Sequence, residues 1–338
     1  MALIPSTILT GFLGAGKTTL LNRILHEDHG FKIAVIENEF GAENIDNEIL
    51  HRDTNEQIVE MNNGCICCTV RGDLIVALTN LADKRTAGEI SFDHLIIETT
   101  GLANPGPVAQ TFFVDPYVAA QYMLDAVITV VDARHAMQQL DLHQEAQRQV
   151  GFADRIFISK SDLVTPDDVK QLTHRLMHMN PRAPIKTALF GQIPIGEVLD
   201  VRGFNLNDKL AIDDTFMEEH DHEANHVHDE HCNHAHHGHL DDISAFVFKS
   251  RRPFNAALLD EFLSGILTAY GPQLLRYKGI LYMQGAEHKV VFQGVHQIMG
   301  SDLGRAWDKD EIMESKVVFI GNKLPKSIII SGLEQCLV

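Results

Sequence analysis

Between Ile4 and about Leu189, short β-branched apolar runs alternate with longer stretches whose apolar positions recur every three to four residues. The short runs predict strands at Thr7–Thr10, Lys32–Glu37, Gln57–Met61, His94–Glu98, Ala126–Asp132 and Arg155–Ser159. Helix-length amphipathic stretches lie between several of them, among them Thr18–His26, Leu74–Ala82 and Asp167–Met179. Leu95–Ile97 and Val127–Val131 are almost continuously apolar, as strands covered on both faces should be. This alternation predicts an α/β fold, a mainly parallel sheet flanked by helices.

The periodicity stops between about Asp213 and Asp242. That stretch holds His220, His222, His226, His228, His231, His234, His236, His237 and His239, nine of the 19 histidines, with Cys232 among them. It is too polar to bury, which predicts a linker. From Ile243 the pattern resumes, with strands expected at Ile243–Phe248, Gln273–Met283, Lys289–Val295 and Lys316–Ile320. Helices are expected at Ala256–Ala269 and after Pro325. Strands in runs with few helices predict a smaller α+β domain of roughly 90 residues. A length of 338 residues is itself more than one ordinary domain holds. The expected division is 1–210, an acidic linker at 211–242, and 243–338.

Charge narrows the partners. The formal net charge is −18, and ten Asp or Glu but no Lys or Arg lie between Ala211 and Phe248. A chain this acidic repels phosphate backbones and anionic bilayers, so neither nucleic acid nor membrane is an expected partner. No apolar run approaches the roughly 20 residues needed to span a bilayer. The first residues lack a basic stretch of the kind that opens an export signal, so a cytoplasmic location is the expectation. Three of the five cysteines fall within four residues, at Cys65, Cys67 and Cys68. Such clustering favours metal or redox chemistry over a disulfide framework.

The chemistry begins at Gly11–Thr19, GFLGAGKTT, which matches the phosphate-loop pattern G-x-x-x-x-G-K-S/T. Gly11, Gly14 and Gly16 let the backbone, Ala15 included, turn its N–H groups around phosphate oxygens. A helix starting near Lys17 aims its positive end at the same anion. Lys17 is expected on the β and γ phosphates, the Thr18 hydroxyl on Mg²⁺, and Thr19, the next residue, at the nucleotide as well. With this loop in place, the predicted fold is that of a P-loop NTPase. Glu98 ends an apolar strand and is followed by Thr99, Thr100 and Gly101. A carboxylate there can hold Mg²⁺, usually through water, and Gly101 would let the backbone approach the γ-phosphate.

Ser159, Lys160, Ser161 and Asp162 form an S-K-x-D variant of the guanine-reading N-K-x-D. The Asp162 carboxylate can accept from the ring N–H and the exocyclic amine of guanine, a donor pair that adenine lacks. Lys160 would lie across the base and bond neighbouring loop backbone. Serine in place of asparagine at 159 removes an amide that usually braces the phosphate loop. The expected nucleotides are GTP and GDP.

GCICC at Gly64–Cys68 carries three soft thiolate donors, suited to Zn²⁺ or Cu⁺. In an extended segment Cys65 and Cys67 share a face and Cys68 does not, so one compact site needs a turn and a ligand from elsewhere. The histidine tract reads either as a weak, multi-site buffer for Zn²⁺, Ni²⁺ or Co²⁺ or as a solvated linker.

Together GFLGAGKTT at 11–19, ENEFG at 37–41, GCICC at 64–68, ETTG at 98–101, SKSD at 159–162, the histidine-rich connector and LLRYKGILY at 274–282 resemble the CobW-type GTPases. These are relatives of the nickel-insertion GTPases of urease and hydrogenase, and the resemblance spans nearly the whole chain. It implies GTP hydrolysis coupled to delivery of zinc, cobalt or another metal to a client metalloprotein, with Glu37 and Cys67 sharing the ion. Family members often carry Glu directly after ENEFG, where this chain has Ala42 and then Glu43. No catalytic Gln or arginine finger stands out, so unaided turnover is expected at roughly 10⁻⁴ to 10⁻² s⁻¹. A metal buffer with a regulatory nucleotide site and a P-loop kinase are the competing functions, and the sequence permits a homo-oligomer.

Overall fold

The computed structural model describes residues 3–37, 57–60, 69–204, 241–308 and 310–338. Cys65, Cys67, Cys68, the residues of ENEFG after Glu37 and the histidine tract lie outside the described residues. Seven strands form one sheet: β1 (Ile4–Gly11), β2 (Ile33–Glu37), β3 (Gln57–Glu60), β4 (His94–Glu98), β5 (Tyr122–Asp132), β6 (Arg155–Ser159) and β7 (Ile185–Ala188). Their order is β3-β2-β4-β1-β5-β6-β7 and every pairing is parallel. The connecting helices are α1 (Lys17–His26), α2 (Thr69–Thr86), α3 (Pro105–Val114), α4 (Pro116–Gln121), α5 (Ala136–Leu142), α6 (Gln144–Phe152) and α7 (Pro166–Met179).

The period-two alternation of a strand places successive residues on opposite faces, and here both faces are covered. Ile8, Leu95, Ile97 and Val127 pack with α2, α3, α6 and α7. Their neighbours Leu9, Ile96, Ala126 and Ile128 pack with α1 and with Ile193, Val198 and Leu199. All six strands expected in this region are present, β1 and β5 beginning earlier than their most apolar stretches suggest. The short edge strand β7 was not expected: of Ile-Lys-Thr-Ala only the alanine is buried, so it carries little apolar signal.

A second, antiparallel sheet follows, built from β8 (Ile243–Ser250), β9 (Leu274–Leu281), β10 (His288–Val295), β11 (Ile298–Ala306) and β12 (Ser315–Asn322). Its order is β11-β10-β9-β12-β8. Helices α8 (Ala256–Tyr270) and α9 (Lys326–Gln335) cover one face, over Val317 and Phe319. The alternate residues Val318 and Ile320, with Leu275 and Val295, join the core of the larger sheet. The two sheets therefore share apolar packing, with α6 between them. A side chain at Gly151 of α6 would meet Leu275 Cδ1 at 2.7 Å. β11 escaped the hydrophobic pattern because it is a polar edge strand without a buried residue.

A buried ion cluster joins the sheets. Asp154, just before β6, accepts from Arg276 of β9 at 2.8 Å and also from Arg182. The Arg276 guanidinium lies 3.7 Å from the ring centroid of Phe204. Burial pulls its pKa down to about 9, with Asp154 opposing the shift. Among the described residues no helix is long and apolar enough to cross a membrane.

Candidate functional site

The phosphate loop leaves the C-terminal end of β1, the central strand. Gly11 takes φ +147°, and a Cβ there would lie 2.3 Å from the Val130 carbonyl oxygen. Gly16 takes φ +99° and caps α1 in the left-handed region. These are conformations that glycine alone adopts without strain. Ala15 is buried, Thr19 is exposed, and the loop closes with Ala15 N–H donating to Phe12 O. Lys17 is buried, its Nζ donating to Gly11 O at 2.9 Å and Phe12 O at 3.4 Å. The ammonium is thus held inside the loop, beside the first turn of α1.

Thr18 Oγ1 donates to Glu98 Oε1 at 3.1 Å. Two hard oxygen donors, one at the helix start and one at the end of β4, converge where the expectation placed Mg²⁺, and their chemistry suits that ion. Gly101, expected to admit a γ-phosphate, is packed against the loop itself: a Cβ there would meet Leu13 N and Cα at 2.6 and 2.7 Å. The segment after β4 therefore touches the phosphate loop directly. Thr99 reinforces the contact, Oγ1 donating to Thr10 Oγ1 at 2.9 Å and N to Leu9 O at 2.9 Å.

At the end of β6, Ser159 corrects the expectation that the loop loses a brace. Its Oγ donates to Ala15 O at 2.6 Å, so a hydroxyl does what the missing amide would do. Lys160, in the left-handed region at φ 54°, donates from Nζ to Gly14 O at 2.7 Å. The same Nζ is 2.7 Å from Asp132 Oδ2, at the end of β5. Burial opposes ionisation of Asp132, yet hydrogen bonds from Lys160 and His135 hold its carboxyl below the usual carboxylate range. Asp162 is exposed on the short 3₁₀ turn Ser161–Leu163, open to a base. Sequence reasoning missed Asp132, which only strand order reveals as a neighbour of the lysine.

The candidate ligand Glu37 ends β2 and is the register partner of Glu98 on β4. On its other side its register partner is Glu60, the last residue of β3. Three strands therefore end in glutamate along one edge of the sheet, in the order Glu60, Glu37, Glu98. Glu60, five residues before Cys65, was not singled out from the sequence, although it lies in the expected strand Gln57–Met61. Among the described residues no group of three or more His, Cys, Asp or Glu side chains is gathered to hold a metal ion.

One further residue is buried beneath the site. Gln149 of α6 donates from Nε2 to Gly101 O at 3.1 Å and Ala103 O at 3.0 Å, tying the segment after Glu98 to this helix. Two residues earlier, Gln147 Oε1 accepts from the backbone N–H of Asp242 and Ile243, where the second sheet begins.

Residues 5–187 match the family described as CobW/HypB/UreG, nucleotide-binding domain, and residues 243–337 match the cobalamin synthesis protein cobW C-terminal domain. The chain is 41% identical over 326 residues to the zinc chaperone YjiA of Escherichia coli, covering 96% of each chain. It is 30% identical over 398 residues to zinc-regulated GTPase metalloprotein activator 1 of Dictyostelium discoideum, covering 99% of this chain and 80% of the other. Among solved structures it is similar to the Zn(II)-bound YjiA GTPase from E. coli, with a TM-score of 0.79, 35% identity and full coverage of both chains. With its parallel sheet, phosphate loop and second antiparallel sheet, this chain belongs to the CobW/HypB/UreG family and carries the cobW C-terminal domain.

Proposed function

We propose that the chain is a GTP-hydrolysing zinc chaperone, in which the nucleotide governs the grip of Glu37, Cys65, Cys67 and Cys68 on a zinc ion destined for a client metalloprotein. The observation that carries this reading is the register of Glu37 with Glu98, itself 3.1 Å from the Thr18 hydroxyl. Register partners in a sheet lie about 5 Å apart, so an oxygen that answers to the nucleotide's Mg²⁺ adjoins an oxygen offered to the cargo. Relatives named as a zinc chaperone and a zinc-regulated GTPase support zinc as the cargo and GTP as the substrate.

Each residue then has a task. The glycine-turned loop cradles the phosphates, Lys17 supplies positive charge, and Asp162 reads the guanine edge. Thr18 and Glu98 would hold Mg²⁺, which would neutralise negative charge on the phosphates when bound. Thiolates grip zinc only when deprotonated, and a carboxylate completes a mixed set suited to a borderline ion. If the γ-phosphate reorders the segment after Glu37, the site gains or loses a ligand with each turnover.

Linkage supplies the test. Zinc affinity measured with GDP and with a non-hydrolysable GTP analogue should differ by a factor of about 5 to 150, the usual range of coupling between sites. Equal affinities would sink the coupling. Phosphate release without any small-molecule acceptor separates this reading from a kinase. Zinc transfer to an apo-protein that requires GTP separates it from a buffer.

A further inference from the structure

Helix α7 carries a feature that the nucleotide site does not use. His174 and His178 stand one turn apart, and residues at that spacing lie one above the other on a helix. Their Nε2 atoms are 3.2 Å apart, with ring centroids 4.4 Å apart and the planes at 64°. His174 is exposed and His178 partly so, while Leu172, Leu176 and Met179 of the same helix face the core.

The helix that presents the pair is fixed at both ends. Thr165 and Asp168 form a reciprocal capping box, with Pro166 in the first turn. Asn180, just past the last turn, is buried and donates to Val150 O and Ala153 O at 2.8 and 2.9 Å. Between the histidines, Arg175 turns inward to Asp141 and Asp241 at 2.7 and 2.6 Å, so its charge is neutralised and does not repel a cation outside. These contacts fix the helix that carries the two histidines against the core.

We propose that His174 and His178 form a two-imidazole site for a borderline divalent cation, Zn²⁺ or its neighbours Ni²⁺ and Co²⁺, apart from the cysteine motif. Nitrogens at 2.0–2.1 Å from a tetrahedral zinc stand roughly 3.3 Å from each other, a separation the pair already has, and a shared ion requires the proton between them to be carried on Nδ1 instead. Imidazole is a suitable donor for these metals. Among the described residues no third carboxylate, thiol or imidazole joins the group. The inference stands on the helix geometry alone and does not depend on the nucleotide reading.

The experiment is peptide-resolved hydrogen exchange on the full-length, metal-free protein with and without added Zn²⁺. An ion clamped across one helical turn must be released before that turn opens. At zinc ten times above the dissociation constant, exchange in peptides covering 174–180 should slow about tenfold. His174→Gln and His178→Gln, at solvent-facing positions, should keep the fold and lose that slowing. Zinc held by the cysteines or the histidine tract would persist in both variants. Exchange in this stretch that ignores zinc, or that slows equally in the variants, overturns the proposal and leaves a hydrogen-bonded imidazole pair.

Discussion

Ser159 Oγ donates to the carbonyl oxygen of Ala15 at 2.6 Å, across 144 positions of sequence. With the Lys160 bond to Gly14 O, this bond ties the turn that follows β6 to the phosphate loop. Ser159→Ala removes the donor to Ala15 O, and a hydrogen bond of this kind contributes about 1–1.5 kcal/mol. Affinity for a fluorescent GDP analogue should fall about tenfold. Ser159→Asn, which restores a donor, should bind within a few-fold of the parent. An alanine variant that binds as tightly as the parent would show that the brace is idle.

Asp162 is exposed on its turn, next in line to Lys160, whose ammonium is already committed to Gly14 O and Asp132. On the function proposed above, selection of the base rests on the Asp162 carboxylate, which would accept two hydrogen bonds from guanine. Asp162→Asn replaces one acceptor by a donor, mismatching guanine and matching the C2 carbonyl of xanthine. Two charge-assisted bonds contribute about 3–6 kcal/mol together, so GTP binding should weaken a hundredfold or more while XTP binding appears. Competition titrations with GTP and XTP read this directly. Unchanged preference would remove Asp162 from the base site.

What could be read in the sequence was local. The unbroken apolar run Leu95, Ile96 and Ile97 marked a buried strand, and the glycines at 11, 14 and 16 with Lys17 marked the loop, because both signals lie within a few consecutive residues. Partners fixed by strand order were not legible. Asp132 meets Lys160 only because β5 and β6 are neighbours, and Glu60 lines up with Glu37 and Glu98 only because β3, β2 and β4 are. Ser159 looked like a loss because its partner Ala15 sits in another element. The tight approach of Gly101 to Leu13 joins two segments far apart in sequence and left no local signal. The polar edge strand β11 offered no apolar period to detect.

Gln149 is buried and donates to two carbonyl oxygens, Gly101 O and Ala103 O, that follow the Mg²⁺ candidate Glu98. Gln149→Leu keeps the volume and strands both carbonyls, at a cost of about 1–3 kcal/mol for unsatisfied buried groups. Urea unfolding should show that loss, and the amides of residues 101–103 should exchange faster than in the parent. Because α6 also holds Asp242 and Ile243 through Gln147, the amides at the start of β8 report whether the loosening travels. Parent-like stability and exchange would mean that the clamp contributes nothing.

His94 opens β4 in a buried position, its Nε2 2.8 Å from Thr7 Oγ1 on β1. Burial lowers its pKa from 6.5 to about 4, and the Asp200 carboxylate only partly opposes this. The folded protein thus keeps the ring neutral where the unfolded chain would protonate it. The stabilisation is full above pH 6.5 and is lost as pH falls toward 4, with a loss on the order of 3 kcal/mol by the lower end. Carboxylates add their own acid dependence, so the informative quantity is the difference from His94→Gln, which cannot titrate. Urea unfolding from pH 7.5 to 4.5 should give a steeper fall for the parent than for the variant, with the gap opening below pH 6.5. Parallel curves would mean that His94 takes up its proton without resistance from the fold, and the neutral ring would not be what ties β4 to β1.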